Sequence, residues 1–134
     1  MKIIIDNNIL FSIMNPDSTN AKLFSLLNFE FISPSFILKE FEKYQEECLK
    51  KSGLQKSDFL FRKKEIFGQI KLIEFNEYKN MLEKAKKISP DIDDSPYFAL
   101  ALKQNSPIWS NDIALKSQNE IKVFSTEDMI NLLF

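Results

Sequence analysis

Apolar residues along this chain fall into two alternating spacings. Short β-branched or aromatic blocks are followed by longer stretches whose apolar positions lie three and four apart. Lys2 to Ile5 is continuous and β-branched, and Asp6-Asn7-Asn8 stops it, which predicts a short buried strand. Pro16 to Asn28 carries Leu23, Leu26 and Leu27 at helical spacing, and Phe29 to Ile32 predicts a second strand. Ser33-Pro34 reads as a helix start with Pro34 in the first turn. That helix extends to about Lys51, before Gly53, on a stripe of Ile37, Phe41, Tyr44 and Cys48. Ser57 caps a further helix reaching about Gly68, with Leu60, Phe61 and Phe67 inward. The stretch Glu46 to Phe61, charged and interrupted by a glycine, reads as the most mobile region.

Ile70 to Phe75 alternates apolar and polar, the mark of a third strand. Glu77 to Ile88 places Tyr78, Met81, Leu82, Ala85 and Ile88 on one helical face, and Ser89-Pro90-Asp91 breaks it. Tyr97 to Lys103 is almost wholly apolar and predicts a buried helix. Pro107 to Ser110 is a short strand, a brief helix follows Asp112, and Ile121 to Phe124 is the last strand. Ser125 and Asp128 form a candidate capping box for a terminal helix. Strands alternating with helices argue for an α/β fold with a mainly parallel sheet.

Composition narrows this without redirecting it. With 134 residues and 44% hydrophobic content, the chain reads as one globular domain, 1–134. No apolar run approaches a membrane span, and Lys2 to Ile5 is too short for a signal peptide, so a soluble, cytoplasmic protein with no membrane partner is expected. Cys48 is the only cysteine, which rules out an internal disulfide. There is no histidine, so Ser-His-Asp, Cys-His and histidine-zinc sites are excluded. The only glycines, Gly53 and Gly68, cannot build a phosphate-cradling loop. A net charge of -1 argues against a nonspecific nucleic-acid binder. Lysines do cluster at Lys50-Lys51, Arg62-Lys63-Lys64 and Lys84, Lys86 and Lys87, either as solvated helix faces or as flanks of a phosphate backbone.

Carboxylate chemistry is what remains. Asp6 follows the first strand, Glu40 lies early in the helix after the second, Asp94 opens the buried helix and Asp112 follows the fourth strand. In an open parallel sheet, ligands bind beyond the carboxyl ends of strands where strand order reverses. If the first and fourth strands are neighbours there, Asp6 and Asp112 face each other, with Asp94 and Glu40 in reach. Two carboxylates about 4 Å apart repel by roughly 4 kcal/mol at an effective dielectric near 20, so a proton or a cation must relieve them. Oxygen donors suit Mg²⁺ or Mn²⁺, which can activate water and stabilise phosphodiester oxygens. Each acid also has a plainer reading. Asp6 can form an Asx-turn, Asp94 and Asp112 can cap helices, and Glu40 can be one solvated glutamate among Glu42, Glu46 and Glu47. Asp91 and Asp93 read as loop acids.

These residues resemble the PIN-domain nucleases, including VapC-type toxins of toxin–antitoxin pairs. Ile3-Ile4-Ile5-Asp6-Asn7-Asn8-Ile9-Leu10 is similar to that family's opening strand and Asp, with a small polar residue two places on. Ser33-Pro34 with Glu40, Asp94-Ser95-Pro96-Tyr97-Phe98-Ala99-Leu100-Ala101-Leu102 and Ile108-Trp109-Ser110-Asn111-Asp112 resemble its second, third and fourth motifs. The resemblance implies a three-layer fold whose central parallel five-stranded sheet, order 3-2-1-4-5, is flanked by helices. It implies Mg²⁺- or Mn²⁺-dependent endoribonuclease activity on RNA, with Asp6, Glu40, Asp94 and Asp112 as catalytic, metal-binding acids. Asn8 and Ser110 would support those ligands or contact substrate. An antitoxin protein and a homodimer are the partners it implies. Many relatives carry a further acid where this chain has Ala114, which puts a second metal site in doubt. Two other readings stay open: a PIN-like RNA- or protein-binding module without cleavage, and a phosphoacceptor receiver domain. The latter lacks the required Asp after its third strand, which ends Glu74-Phe75-Asn76.

Overall fold

The computed structural model describes residues 1–134 and builds one sheet from Lys2–Ile5 (β1), Glu30–Pro34 (β2), Ile70–Ile73 (β3), Ile108–Trp109 (β4) and Val123–Phe124 (β5). The strand order is β3-β2-β1-β4-β5 and every pairing is parallel. A parallel sheet needs cover on both faces. The central strand shows it: Ile3, Ile4 and Ile5 are wholly buried. Chain order runs outward from β1 through β2 to β3, then returns to β4 on the other side, so order reverses between β1 and β4.

The connecting helices are Asn7–Ile13 (α1), Thr19–Leu26 (α2), Phe36–Lys43 (α3), Gln45–Ser52 (α4), Lys56–Phe67 (α5), Phe75–Tyr78 (α6), Leu82–Ile88 (α7), Ser95–Gln104 (α8) and Thr126–Leu133 (α9). Short 3₁₀ turns occupy Lys79–Met81, Ile92–Asp94 and Ile113–Ser117. Ser125 and Asp128 form the expected reciprocal capping box of α9. Thirty buried hydrophobic residues make one continuous core cluster. Within it, Phe41 of α3 meets Phe11 edge-on at 5.5 Å, Phe67 edge-on at 5.4 Å and Phe59 stacked at 6.2 Å. These three contacts tie α1, α3 and α5 together and fix where the neighbouring Glu40 emerges.

Several local expectations change. Asp6-Asn7-Asn8 does not merely stop β1; it starts α1, whose Ile9, Leu10 and Ile13 are buried. Ser33-Pro34 belongs to β2 rather than to a helix. The Ser33 hydroxyl donates to the Ile5 carbonyl at 2.9 Å, and Pro34 pairs with Ile73 at the strand's end. The long helix expected up to Lys51 breaks at Tyr44 (φ −112°, ψ 14°) into α3 and α4. On α5 the inward residues are Phe59 and Ile66, while Leu60 and Phe61 face solvent. Glu46 to Phe61 is largely helical, and its one sharp turn is at Gly53 (φ 74°), a left-handed position suited to glycine.

Candidate active site

Asp6 is the first residue beyond β1 and the N-cap of α1, accepting the Ile9 N–H at 2.9 Å. It is 7% exposed. Burial, the largest cause, lifts its carboxyl from 3.8 to about 6; the fields of Asp112 and Glu40 add, and hydrogen bonds from Ser110 and the Ile9 N–H oppose. A carboxylate held between a cap and a desolvated position accepts a proton or a cation more readily than a solvated one.

Asp94 ends the Ile92–Asp94 turn immediately before α8. It occupies the N-cap position, yet its side chain makes no capping hydrogen bond. The plain cap reading therefore fails for this residue. Burial first, then the charges of Asp91, Asp6, Glu40 and Asp112, push its carboxyl from 3.8 to about 7. Asp94 thus lies within the fields of Asp6, Glu40 and Asp112. Glu40 is half-buried on α3, where the Tyr97 hydroxyl of α8 donates to its Oε1 at 2.5 Å. Its carboxyl is also raised, mainly by burial, with Tyr97 opposing. The same juxtaposition pushes the buried Tyr97 hydroxyl well above its ordinary value, burial first and Glu40 next.

Asp6, Glu40 and Asp94 line one cleft of about 370 Å³, together with Asn7, Asn8, Phe11, Tyr44, Glu47, Lys51 and Tyr97. Asp112 does not share it. It is exposed, caps the 3₁₀ turn by accepting the Ala114 N–H at 3.1 Å, and lines an adjacent cleft of similar size with Ser110. The Ser110 hydroxyl accepts the Asp112 N–H at 3.1 Å. Asp91 is exposed and accepts the Asp93 N–H, as a loop acid would. A larger cleft of about 790 Å³ lies between the Lys116–Phe124 segment and α9 and contains none of the four acids.

The oxygen donors match Mg²⁺ or Mn²⁺ in kind. No three carboxylates already stand close enough to hold one ion between them. Mg²⁺ does not require that, because it usually keeps several waters and takes one or two carboxylates plus substrate phosphates. The donor set thus fits such an ion, with buried Asp6 and half-buried Asp94 as the pair.

Some cleft residues lay outside the sequence reading. Asn7 is buried, and its Oδ1 has no hydrogen-bond partner. Tyr97, Tyr44, Glu47 and Lys51 also line the cleft. Tyr97 carried a usable signal: it follows Asp94 by three residues, one helical turn into α8. Tyr44 carried a misleading one, since its place on the apolar stripe assigned it to the core, whereas it is 42% exposed.

These features define an α/β protein with an acidic cleft at the switch point of a parallel sheet. The chain belongs to the PIN-domain family, whose match spans residues 4–130, and PIN domains are generally nucleases. Among solved structures, it is similar to a chain of VapBC2 from Rickettsia felis, crystallised bound to a DNA fragment from the VapBC2 promoter. That similarity has 17% identity, a TM-score of 0.66, and covers 93% of this chain and 98% of the other. No curated protein matches the chain.

Proposed function

We propose that this protein is a Mg²⁺- or Mn²⁺-dependent endoribonuclease and the toxin of a toxin–antitoxin pair. The observation that carries the reading is the pair of carboxylates, Asp6 and Asp94, raised toward neutrality in one cleft at the sheet's switch point. Family membership supports nuclease chemistry, and the fold shared with VapBC2 from Rickettsia felis supports the toxin reading. Asp6 and Asp94 are the principal ligands in this account. Glu40, steadied by Tyr97, completes the cleft side, and Asp112 contributes charge from beyond β4. A divalent cation bound there supplies a Lewis acid and offsets charge developing on the phosphodiester oxygens. Ser110 orients Asp6 and the Asp112 loop, and the exposed Asn8 is placed to contact substrate.

The test is cleavage of RNA in Mn²⁺ and Mg²⁺ by the Asp6→Asn and Asp94→Asn variants. Loss on the order of 100-fold in folded protein is expected. Unchanged rates would sink the reading. A second reading, a PIN-like binding module without cleavage, is favoured by Ala114 and by the absence of three carboxylates within reach of one ion. Calorimetry separates the two: a folded protein that takes up no Mn²⁺ is the binding module.

A further inference from the structure

Tyr44 stands at the break between α3 and α4, on the wall of the cleft that holds Asp6, Glu40 and Asp94. It is 42% exposed, although its neighbour Phe41 is wholly buried. Its ring rests edge-on against Phe11 at 6.4 Å, and the Lys43 ammonium lies 5.3 Å from its centroid. One helical turn or two further on, Glu47 and Lys51 line the same cleft. Lys51 Nζ sits 3.0 Å from Glu47 Oε1, with both side chains more than half exposed. An exposed pair of this kind contributes about 0–1 kcal/mol, so another anion can displace Glu47 at little cost.

We propose, resting on the nuclease reading above, that Tyr44 and Lys51 form a nucleotide subsite beside the acids. Tyr44 stacks the base of an unpaired nucleotide, and Lys51 holds the adjoining phosphate. Three observations carry it. An aromatic ring is held at the cleft wall by Phe11 rather than buried. Lys51 is the one cation that lines the cleft with that ring, and the Lys43 ammonium lies 5.3 Å from the ring centroid. The chain has a net charge of -1, so phosphate contacts alone give a weak grip and stacking must supply much of the affinity. Stacking between successive pairs of an A-form duplex hides the base faces, so a duplex cannot use Tyr44.

The experiment is fluorescence anisotropy of the full chain with a fluorescein-labelled 12-nucleotide RNA, single-stranded or annealed to its complement. Calcium replaces the catalytic ion, and a gel confirms that the RNA stays intact. Stacking losses of about 1–3 kcal/mol per base correspond to roughly 5- to 150-fold. Tyr44→Ala should therefore weaken single-strand binding at least fivefold, and Tyr44→Phe should rescue it. Lys51→Ala should reduce the slope of binding against salt by about one. Single-strand binding should exceed duplex binding. Wild-type affinity in Tyr44→Ala, failure of Phe to rescue, or equal affinity for duplex overturns the subsite. Cleavage assays keep the two readings apart. Inactive Asp94→Asn beside fully binding Tyr44→Ala rejects the subsite alone, whereas active Asp94→Asn rejects the nuclease reading itself.

Discussion

The Tyr97 hydroxyl donates to Glu40 Oε1 at 2.5 Å, joining α8 to α3 across 57 positions of sequence. This bond separates Glu40 from the other glutamates nearby. Glu42, Glu46 and Glu47 are exposed, whereas Glu40 is half-buried and held by a buried donor.

Tyr97→Phe removes that donor while keeping the ring that packs edge-on against Phe36. Because the hydrogen bond holds the raised Glu40 carboxyl down, its loss should move that carboxyl further up. The acidic limb of the pH–rate profile should shift to higher pH, with a stability loss of about 1 kcal/mol by thermal melting. An unmoved acidic limb would separate Glu40 from the reaction.

Asp94→Asn should cost the helix nothing, since Asp94 makes no capping hydrogen bond. Removing a charge that faces Asp91, Asp6, Glu40 and Asp112 should instead raise the melting temperature of the metal-free protein. Activity should fall on the order of 100-fold. Asp91→Asn, which keeps the acceptor for the Asp93 N–H, should stay within about twofold of wild type in cleavage.

Stability should depend on pH in a defined window. Asp6 and Asp94 rise from 3.8 to about 6 and about 7 in the folded chain. Between those values the native state holds protons that the unfolded chain has released. Their contribution is therefore full below pH 3.8 and is lost as pH rises through about 6 to 7. A cation competes with those protons, so added Mn²⁺ should raise the melting temperature more above this window than below it. Scanning calorimetry with and without Mn²⁺, repeated on Asp94→Asn, checks this. Equal stabilisation at both ends of the range would contradict it.

Thr126 joins the fourth-strand loop to the helices behind it. Its Oγ1 accepts from Trp109 Nε1 at 3.2 Å and Asn111 Nδ2 at 2.9 Å, and donates to Asn20 Oδ1 at 2.6 Å. Thr126→Val keeps the shape and strands a buried indole N–H. A loss of about 1–3 kcal/mol in denaturant unfolding is expected. Asn111 lies between Ser110 and Asp112, so cleavage should fall as well, by less than in Asp94→Asn.

Much of the architecture is legible from local pattern. Ile3-Ile4-Ile5 can only be a strand buried on both faces, and the apolar run from Tyr97 can only be a buried helix. Both follow from periodicity and burial, which neighbouring residues encode directly. The helix α1 was hidden because Asp6-Asn7-Asn8 is equally a turn and a cap-plus-first-turn. What decides is the burial of Ile9, Leu10 and Ile13 against the rest of the core. Ser33-Pro34 misled for a related reason. Proline suits a helix's first turn or a strand's last residue, and pairing with Ile73 selects the second.

The sequence by itself determined the α/β alternation, the exclusion of histidine, disulfide and glycine-loop chemistry, and the set of acids from which a site can be built. Side-chain type and spacing carry that information. Only the tertiary structure decided how those acids divide. It put Asp6, Glu40 and Asp94 into one cleft and Asp112 into the next. It denied Asp94 a capping role and turned Tyr44 from a core position to the cleft wall. Those outcomes depend on desolvation and on contacts between residues far apart in the chain, such as Tyr97 with Glu40, and no local pattern encodes them.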